Sequence, residues 1–173
     1  DIRSFIYNDR APWPEGADGD GYSIVLIAPG LSPDHALAHN WRSSALPGGS
    51  PGQGDAVIFS GQAGADSDGD GMSAFLEHAL GTSDEVAGAS GFSVVSDGSG
   101  DLLISHPRNL AADDAVIEMQ FSPDLKDWQG DSAVFLGSSA LEDNVILKRW
   151  RALLPLSDNE PLRYARLVVR PRD

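Results

Sequence analysis

The stretch DSDGDGMSAFLE, residues 66–77, matches the pattern D-x-[DN]-x-[DN]-G-x5-E at every specified position. Acids at loop positions one, three and five converge on one point when the backbone turns sharply, and Gly71 at position six permits that turn. Calcium takes about six to eight oxygen ligands in proteins, and every ligand expected from this loop is an oxygen. The pattern therefore predicts a calcium site. Its expected ligands are Asp66, Asp68, Asp70, the carbonyl of Met72, and Glu77.

The second half of the stretch indicates a single loop that holds its ion permanently. Glu77 lies on the first turns of a helix predicted over 73–80 and would close the site with both carboxylate oxygens. Ala74, at position nine, offers no side-chain oxygen, so a water would stand there. Ser73 replaces the usual apolar residue at position eight, which argues against a paired second loop. We expect a calcium clamp that acts as a folding determinant; the alternative is a solvated Asp/Gly linker without an ion.

Composition narrows the class of protein. The chain has 173 residues, 41% of them hydrophobic, which is enough for one ordinary domain or two small ones. Acidic side chains outnumber basic ones 26 to 12, and the net charge of -14 repels nucleic acids and anionic membrane surfaces. The chain has no cysteine, so disulfides and thiolate metal sites are excluded and calcium is the expected staple.

The sequence also bears on where the protein works. No apolar run approaches the roughly 20 residues of a membrane span. The first residues do not resemble a signal peptide, and there is no initiator Met. We therefore expect a processed piece of a longer secreted or cell-surface precursor, with its export signal upstream. Its expected partners are the upstream domains of that precursor, or a second chain.

The remainder of the sequence predicts mainly β structure. Short strands are expected over 2–7 and 22–27, with one helical turn that Ser32 or Asp34 caps and that ends at His39. Six further strands, separated by turn residues, predict an antiparallel sandwich and are expected over 92–96, 101–106, 115–122, 132–136, 144–151 and 163–170. The predicted organisation is a β domain over 1–52, a linker with the calcium loop over 53–90, and a β-sandwich module over 91–173.

Residues 66–83 resemble the single EF-hand-like or thrombospondin type 3 calcium loops of secreted bacterial proteins. In those loops the helix commonly ends in a Gly-Thr-Asp-Pro-like stretch. Here Gly81, Thr82 and Ser83 precede Asp84, so the aspartate comes one place late and the proline is missing. The departure affects the helix exit and leaves the predicted ligands intact.

Both flanks carry resemblances of their own. Residues 5–52 resemble the C-terminal part of a bacterial lamin-tail domain, on YND at 7–9, PWP at 12–14, DGDGYSIVL at 18–26, NWRSS at 40–44 and PGGSPG at 47–52. That resemblance implies an incomplete immunoglobulin-like sandwich whose missing strands were removed or lie on another chain. Residues 91–173 resemble C-terminal β-modules of secreted planctomycete and verrucomicrobial proteins, on HPRNL at 106–110, IEMQFSPDLKDW at 117–128 and YARLVV at 164–169.

Two sequence patterns suggest a catalytic or zinc site, but the residues around them argue against both. GGSPG at 48–52 fits G-x-S-x-G, but its prolines and glycines predict a loop where a nucleophile elbow needs a strand and then a helix. His35 and His39 are spaced as in a zinc-protease helix, but Ala36 stands where that motif needs glutamate. We therefore expect a surface loop and a surface helical turn.

The remaining candidates favour structural roles. The sequence identifies no cleft partner for His78 or His106, and it fixes no distance between Glu118 and Asp124. Large aromatic side chains commonly fill small β cores, so we expect core packing rather than sugar stacking. The aromatic residues concerned are Trp13, Trp41, Trp128, Trp150, Tyr7, Tyr22 and Tyr164.

The sequence favours a non-catalytic accessory region that calcium stabilises. Two other classes stay open. One is a module that binds polysaccharide or a cell surface through exposed tryptophans or through the basic cluster Arg163, Arg166, Arg170 and Arg172. The other is the C-terminal fragment of an extracellular enzyme whose active site lies upstream.

Overall fold

The computed structural model describes residues 3–96, 102–130, 133–141, 144–152 and 164–172. Eight strands and one α-helix lie within those residues. The elements are β1 (Ile24–Leu26), β2 (Trp41–Ser43), α1 (Ala74–Leu80), β3 (Ser93–Ser96), β4 (Leu102–Asn109), β5 (Ala115–Ser122), β6 (Ala133–Ala140), β7 (Val145–Ala152) and β8 (Tyr164–Pro171). No helix among the described residues is long and apolar enough to cross a membrane.

The strands form three antiparallel groups. A four-stranded sheet has the order β3-β4-β7-β6, while β5 pairs with β8 and β1 pairs with β2. The apolar core lies between the four-stranded sheet and the β5-β8 pair, where Ile104 and Ala152 meet Phe121. Phe121 is only 1% exposed, and burying one such ring contributes about 1.5–3 kcal/mol. The prediction of a mainly β, antiparallel sandwich is confirmed.

The N-terminal segment packs onto this sandwich. Ala45, which follows β2, shares a buried cluster with Leu110 and Ile146. The Arg42 guanidinium is 4% exposed and bonds the carboxylates of Asp55 (2.5 Å) and Asp113 (2.8 Å). A buried guanidinium holds two carboxylates well because its donors form a planar fork. The predicted domain boundaries at residues 52 and 90 stay predictions.

All six strands predicted after residue 91 are present, and β5 matches its predicted bounds. β7 and β8 each end one residue later than predicted, and β4 and β6 run well beyond their predicted ends. β4 continues through Pro107, which pairs with Leu147 of β7 but lies beyond the pairing with β3, which ends at Ser105. Proline is tolerated where a strand has a neighbour on one side only. β6 continues past Phe135 through a bulge at Gly137, whose φ of +127° suits glycine.

Of the elements predicted in the N-terminal segment, one strand is present and the others are not formed as predicted. The strand expected over 22–27 is present as β1, but residues 3–7 form no strand, and residue 2 lies outside the described residues. The helical turn expected up to His39 is wrong. Ser32 adopts a left-handed φ of +52°, and the Asp34 side chain accepts from the Ala36 amide (2.9 Å). The segment instead forms two short 3-10 helices, Pro29–Leu31 and Ala38–Asn40.

Candidate metal centre

Three of the predicted ligands come together in the loop that precedes α1. One carboxylate oxygen from each of Asp66, Asp68 and Asp70 lies within 4.8 Å of the other two. Glu77 lies outside that group of three. The three aspartates form an acidic cluster that could hold a metal ion.

Backbone amides of the loop itself hold the first carboxylate in place. Asp66 accepts from the Gly69 amide at Oδ1 (2.9 Å) and from the Gly71 amide at Oδ2 (3.1 Å). Gly71 has a φ of +91°, a left-handed conformation that a side chain would strain. The sharp turn that the sequence predicts at Gly71 is therefore present.

The other two carboxylates also accept from backbone amides, Asp68 through one oxygen and Asp70 through both. Asp68 Oδ1 accepts from the Asp70 amide (3.1 Å), and Asp70 Oδ1 accepts from the Met72 amide (2.8 Å). Asp70 Oδ2 accepts from the amide of Gly88, which follows α1 in the chain (2.9 Å). Asp68 Oδ2 is buried and has no hydrogen-bond partner.

Glu77, the last predicted ligand, lies on helix α1 and is buried. Ser73 caps the helix by accepting from the Leu76 amide (3.4 Å), and Gly81 ends it in a left-handed conformation. Glu77 is only 1% exposed. Its Oε1 accepts from the Thr82 hydroxyl (3.2 Å), while its Oε2 is buried without a partner.

The unpartnered oxygens test whether a cation fits this loop. Among the described residues, three buried side-chain atoms lack a partner, and two of them are Asp68 Oδ2 and Glu77 Oε2. A buried carboxylate oxygen without a donor is costly, and a cation is the group that removes the cost. The donors are all oxygens, which suits a hard ion such as calcium. The residues present therefore fit the ion, and the Met72 carbonyl stays a predicted ligand.

The acidic surroundings of Glu77 change the pKa of its carboxyl. Burial is the main reason that the pKa of its carboxyl is raised above the ordinary value of 4.5. The negative charges of Asp68, Asp70 and Asp84 raise the pKa further, and the hydrogen bond from Thr82 opposes them. A nearby cation would reverse this balance, because it favours the ionised form.

Asp84 is a site residue that the sequence did not assign. Its two oxygens accept from the Ser67 amide (3.1 Å) and the Ser67 hydroxyl (2.7 Å). These hydrogen bonds lower the pKa of the Asp84 carboxyl. The only signal in the sequence is the aspartate that arrives one place late after the helix. Asp84 thus fastens the start of the loop to the exit of α1.

The helix also fixes the site to the sandwich. Phe75 and Ala79 pack in a buried cluster with Ala112 and Ala115. The His78 ring bonds Asp114 (2.9 Å), and burial of that carboxyl is outweighed by hydrogen bonds that lower its pKa. Because Glu77 lies between Phe75 and Ala79 on this docked helix, its position relative to the sandwich is fixed.

The structure places the histidine and serine candidates in structural surroundings. Ser50 lies in a loop between turns, with its hydroxyl donating to Gln53 O (3.1 Å). The His35 ring packs against Phe5 and Trp41. Neither arrangement provides a base beside a nucleophile.

The carboxylate and basic candidates are also engaged within the chain. Glu118 bonds Arg170 (2.5 Å), and Asp124 accepts from the amides of its own turn. Arg166 bonds Gln120 and covers the ring of Trp128, with 4.0 Å from guanidinium carbon to ring centroid. Arg163 lies outside the described residues.

The four tryptophans do not form an exposed platform. Trp13 is 8% exposed. Trp41 stacks on Phe5, with 5.0 Å between ring centroids. Trp128 lies under a guanidinium, and Trp150 packs at the edge of the sandwich core. Of the tyrosines, Tyr7 and Tyr164 are exposed.

The fold and the site together define a class: a mainly β sandwich protein with an acidic loop that could hold a metal ion. Comparison with protein-family models, curated proteins and solved structures gives no significant match. What the protein does therefore has to be argued from the geometry of the loop.

Proposed function

We propose that the chain is a calcium-stabilised, non-catalytic accessory region of a larger secreted or cell-surface protein. The observation that carries the proposal is the pair of buried carboxylate oxygens without partners, Asp68 Oδ2 and Glu77 Oε2. Asp66, Asp68, Asp70 and Glu77 would hold the ion together with the Met72 carbonyl. When bound, calcium supplies positive charge and coordination only, and no reaction follows from it.

The residues of the loop connect it to the segment that follows α1. Asp70 bonds Gly88, and Asp84 bonds Ser67, so the loop is tied to the segment beyond α1 at two points. Glu77 extends the connection to a helix that packs on the sandwich. An ion held by the loop would therefore stiffen the path from the N-terminal segment to the C-terminal strands.

Calcium-rich surroundings outside cells suit a clamp of this kind. A ligand that binds only the folded state stabilises it by about 2.7 kcal/mol when its free concentration is 100 times Kd. For a chain of this size, that corresponds to a rise in Tm of roughly 5–10 °C. The upstream domains or second chain that we expect as partners would then meet an already rigid module.

The test is thermal unfolding in calcium-free buffer and with millimolar calcium. We expect calcium to raise Tm, and titration calorimetry to give one site per chain. Glu77→Gln and Asp68→Asn each keep their observed hydrogen bonds to protein donors but remove a charge, so both should lose most of the calcium response. Asp124→Asn is the matched control, because Asp124 also accepts amides in a turn but belongs to no cluster of three acids among the described residues. An identical melt in excess chelator would refute the proposal.

A further inference from the structure

A cavity of about 280 Å³ lies between β4, β5 and β7, on the side of the sandwich that the N-terminal segment covers. Ile27 and Asn40 line it from that segment. All of the ionisable side chains that line it are basic. They are His39, His106, Arg108, Lys148 and Arg172.

The strand register explains how basic groups reach the inside of a sandwich. Directly paired residues lie on one face of a sheet, and the pair Ile104 and Trp150 contributes to the apolar core. The next pair on the same face is His106 and Lys148, and Arg108 follows. Polar groups therefore occupy positions that a closed sandwich fills with apolar side chains.

Arg108 has an incomplete set of partners. It is 8% exposed, and its Nη2 donates to the carbonyls of Ala112 and Ala115 (3.0 Å to the latter). Its Nη1 is buried and has no partner. Arg108 makes no ion pair within the part of the chain that the structure describes. A buried guanidinium with a free donor is a strong site for an anion.

The nearest acids are already engaged elsewhere. Both oxygens of Asp113 accept from Arg42, at 2.8 and 3.0 Å. Asp114 accepts from the Phe59 amide (2.8 Å) and bonds His78 (2.9 Å). The negative charges of these carboxylates reduce the positive electrostatic potential in the cavity, but they form no ion pair with Arg108.

Lys148 faces the same cavity without an acidic partner among the described residues. Its ammonium lies 5.4 Å from the centroid of the Phe135 ring. Burial, with the charges of Arg108 and Arg172, lowers the pKa of Lys148 to about 7. Arg172 donates its Nε to Asp113 O (2.7 Å), and its guanidinium makes no other hydrogen bond to the residues that the structure describes. The chain thus concentrates positive charge at one point although its net charge is -14.

His106 lines the cavity but adds no positive charge to it. Its Nδ1 bonds Pro107 O (2.8 Å), and its Nε2 accepts from the Trp150 indole (3.3 Å). An accepting Nε2 requires the neutral ring. Burial lowers the pKa of His106 to about 4, which keeps the ring neutral near pH 7.

We propose that this cavity is a binding site for a small anion that carries a carboxylate or sulfate group. Arg108 supplies the buried, unpaired donor, and Lys148 and Arg172 supply further positive charge. The volume admits an anion of about the size of one sugar acid. The site is separate from the acidic loop and does not depend on the proposed function.

The test is titration calorimetry of the whole chain with sodium sulfate and with sodium glucuronate. Ionic strength is held constant with sodium chloride, and calcium is held constant throughout. We expect saturable 1:1 binding of one anion or both, and Lys148→Met should weaken it at least tenfold. Arg149→Met is the matched control, since Arg149 is the next residue, is exposed and bonds Ser139 (2.6 Å). Binding of sulfate alone identifies an inorganic-type oxyanion site, and binding of glucuronate identifies a carboxylate site.

A second measurement keeps the proposal testable if Lys148→Met unfolds. The Lys148 ε-carbon resonance of the wild-type chain is titrated with pH, with and without each anion. The charged or titratable groups that face it are His39, His106, Arg108 and Arg172, and β5 contributes none. A bound anion should raise the apparent pKa of Lys148 by about one unit or more. Absence of saturable binding by either anion, or equal losses in Lys148→Met and Arg149→Met, would overturn the proposal.

Discussion

The exit of α1 offers a sharp test of how the loop is joined to the sandwich. Gly81 has a φ of +86°, and a Cβ added there would lie 2.5 Å from Cγ2 of Val145 on β7. A side chain in the left-handed region costs about 1–2 kcal/mol, and overpacking a close contact costs about 1–3 kcal/mol more. Gly81→Ala should therefore destabilise the chain by about 2–5 kcal/mol.

Urea unfolding followed by fluorescence and circular dichroism measures this loss. Gly48→Ala is the control, because Gly48 has a φ of +83° and nothing within 4 Å of the added Cβ. It should lose only the conformational part, about 1–2 kcal/mol. Adding Val145→Ala to Gly81→Ala should remove the steric part, so a double-mutant cycle should give about 1–3 kcal/mol of coupling. Equal losses at both glycines, with no coupling to Val145, would refute the close contact between Gly81 and Val145.

Two further predictions concern charge. In calcium-free buffer the raised pKa of Glu77 contributes stability that is fully present below pH 4.5 and is lost as pH rises through the folded pKa. The stability of Glu77→Gln relative to wild type should therefore increase from pH 4 to pH 7 in denaturant titrations, and a constant difference would contradict the assignment. Asp55→Ala should cost about 3 kcal/mol in urea unfolding, the low end for a broken buried ion pair, because Arg42 keeps Asp113; a loss below about 1 kcal/mol would show that the pair contributes little.

The acidic cluster was predictable because its geometry is local. The aspartates and glycines at 66–71 lie next to one another in the chain, so spacing alone indicates that the carboxylates converge. The strands after residue 91 were predictable for the same reason, since alternation and turn residues act within a few positions. Errors at strand ends came from Pro107 and Gly137, where an unpaired side and a bulge accommodate residues that usually end a strand.

The features that sequence reasoning missed depend on residues far apart in the chain. Strand β2 contains a buried arginine, Arg42. From the sequence alone an arginine is expected to be exposed to solvent, and only the fold brings its partners Asp55 and Asp113 next to it. Asp84 gains its role only because α1 folds back and brings it to Ser67. No short pattern encodes either contact.

The sequence by itself determined the loop that gathers three carboxylates and the mainly β character of the chain, because both follow from contacts between near neighbours. Only the tertiary structure decided which polar side chains face inward. Alternation assigns His106, Arg108 and Lys148 to one face, but the sheet that covers that face comes from β5 and β8, far along the chain. Burial of Glu77 has the same origin, since a docked helix, and not the spacing of the motif, removes its carboxylate from water.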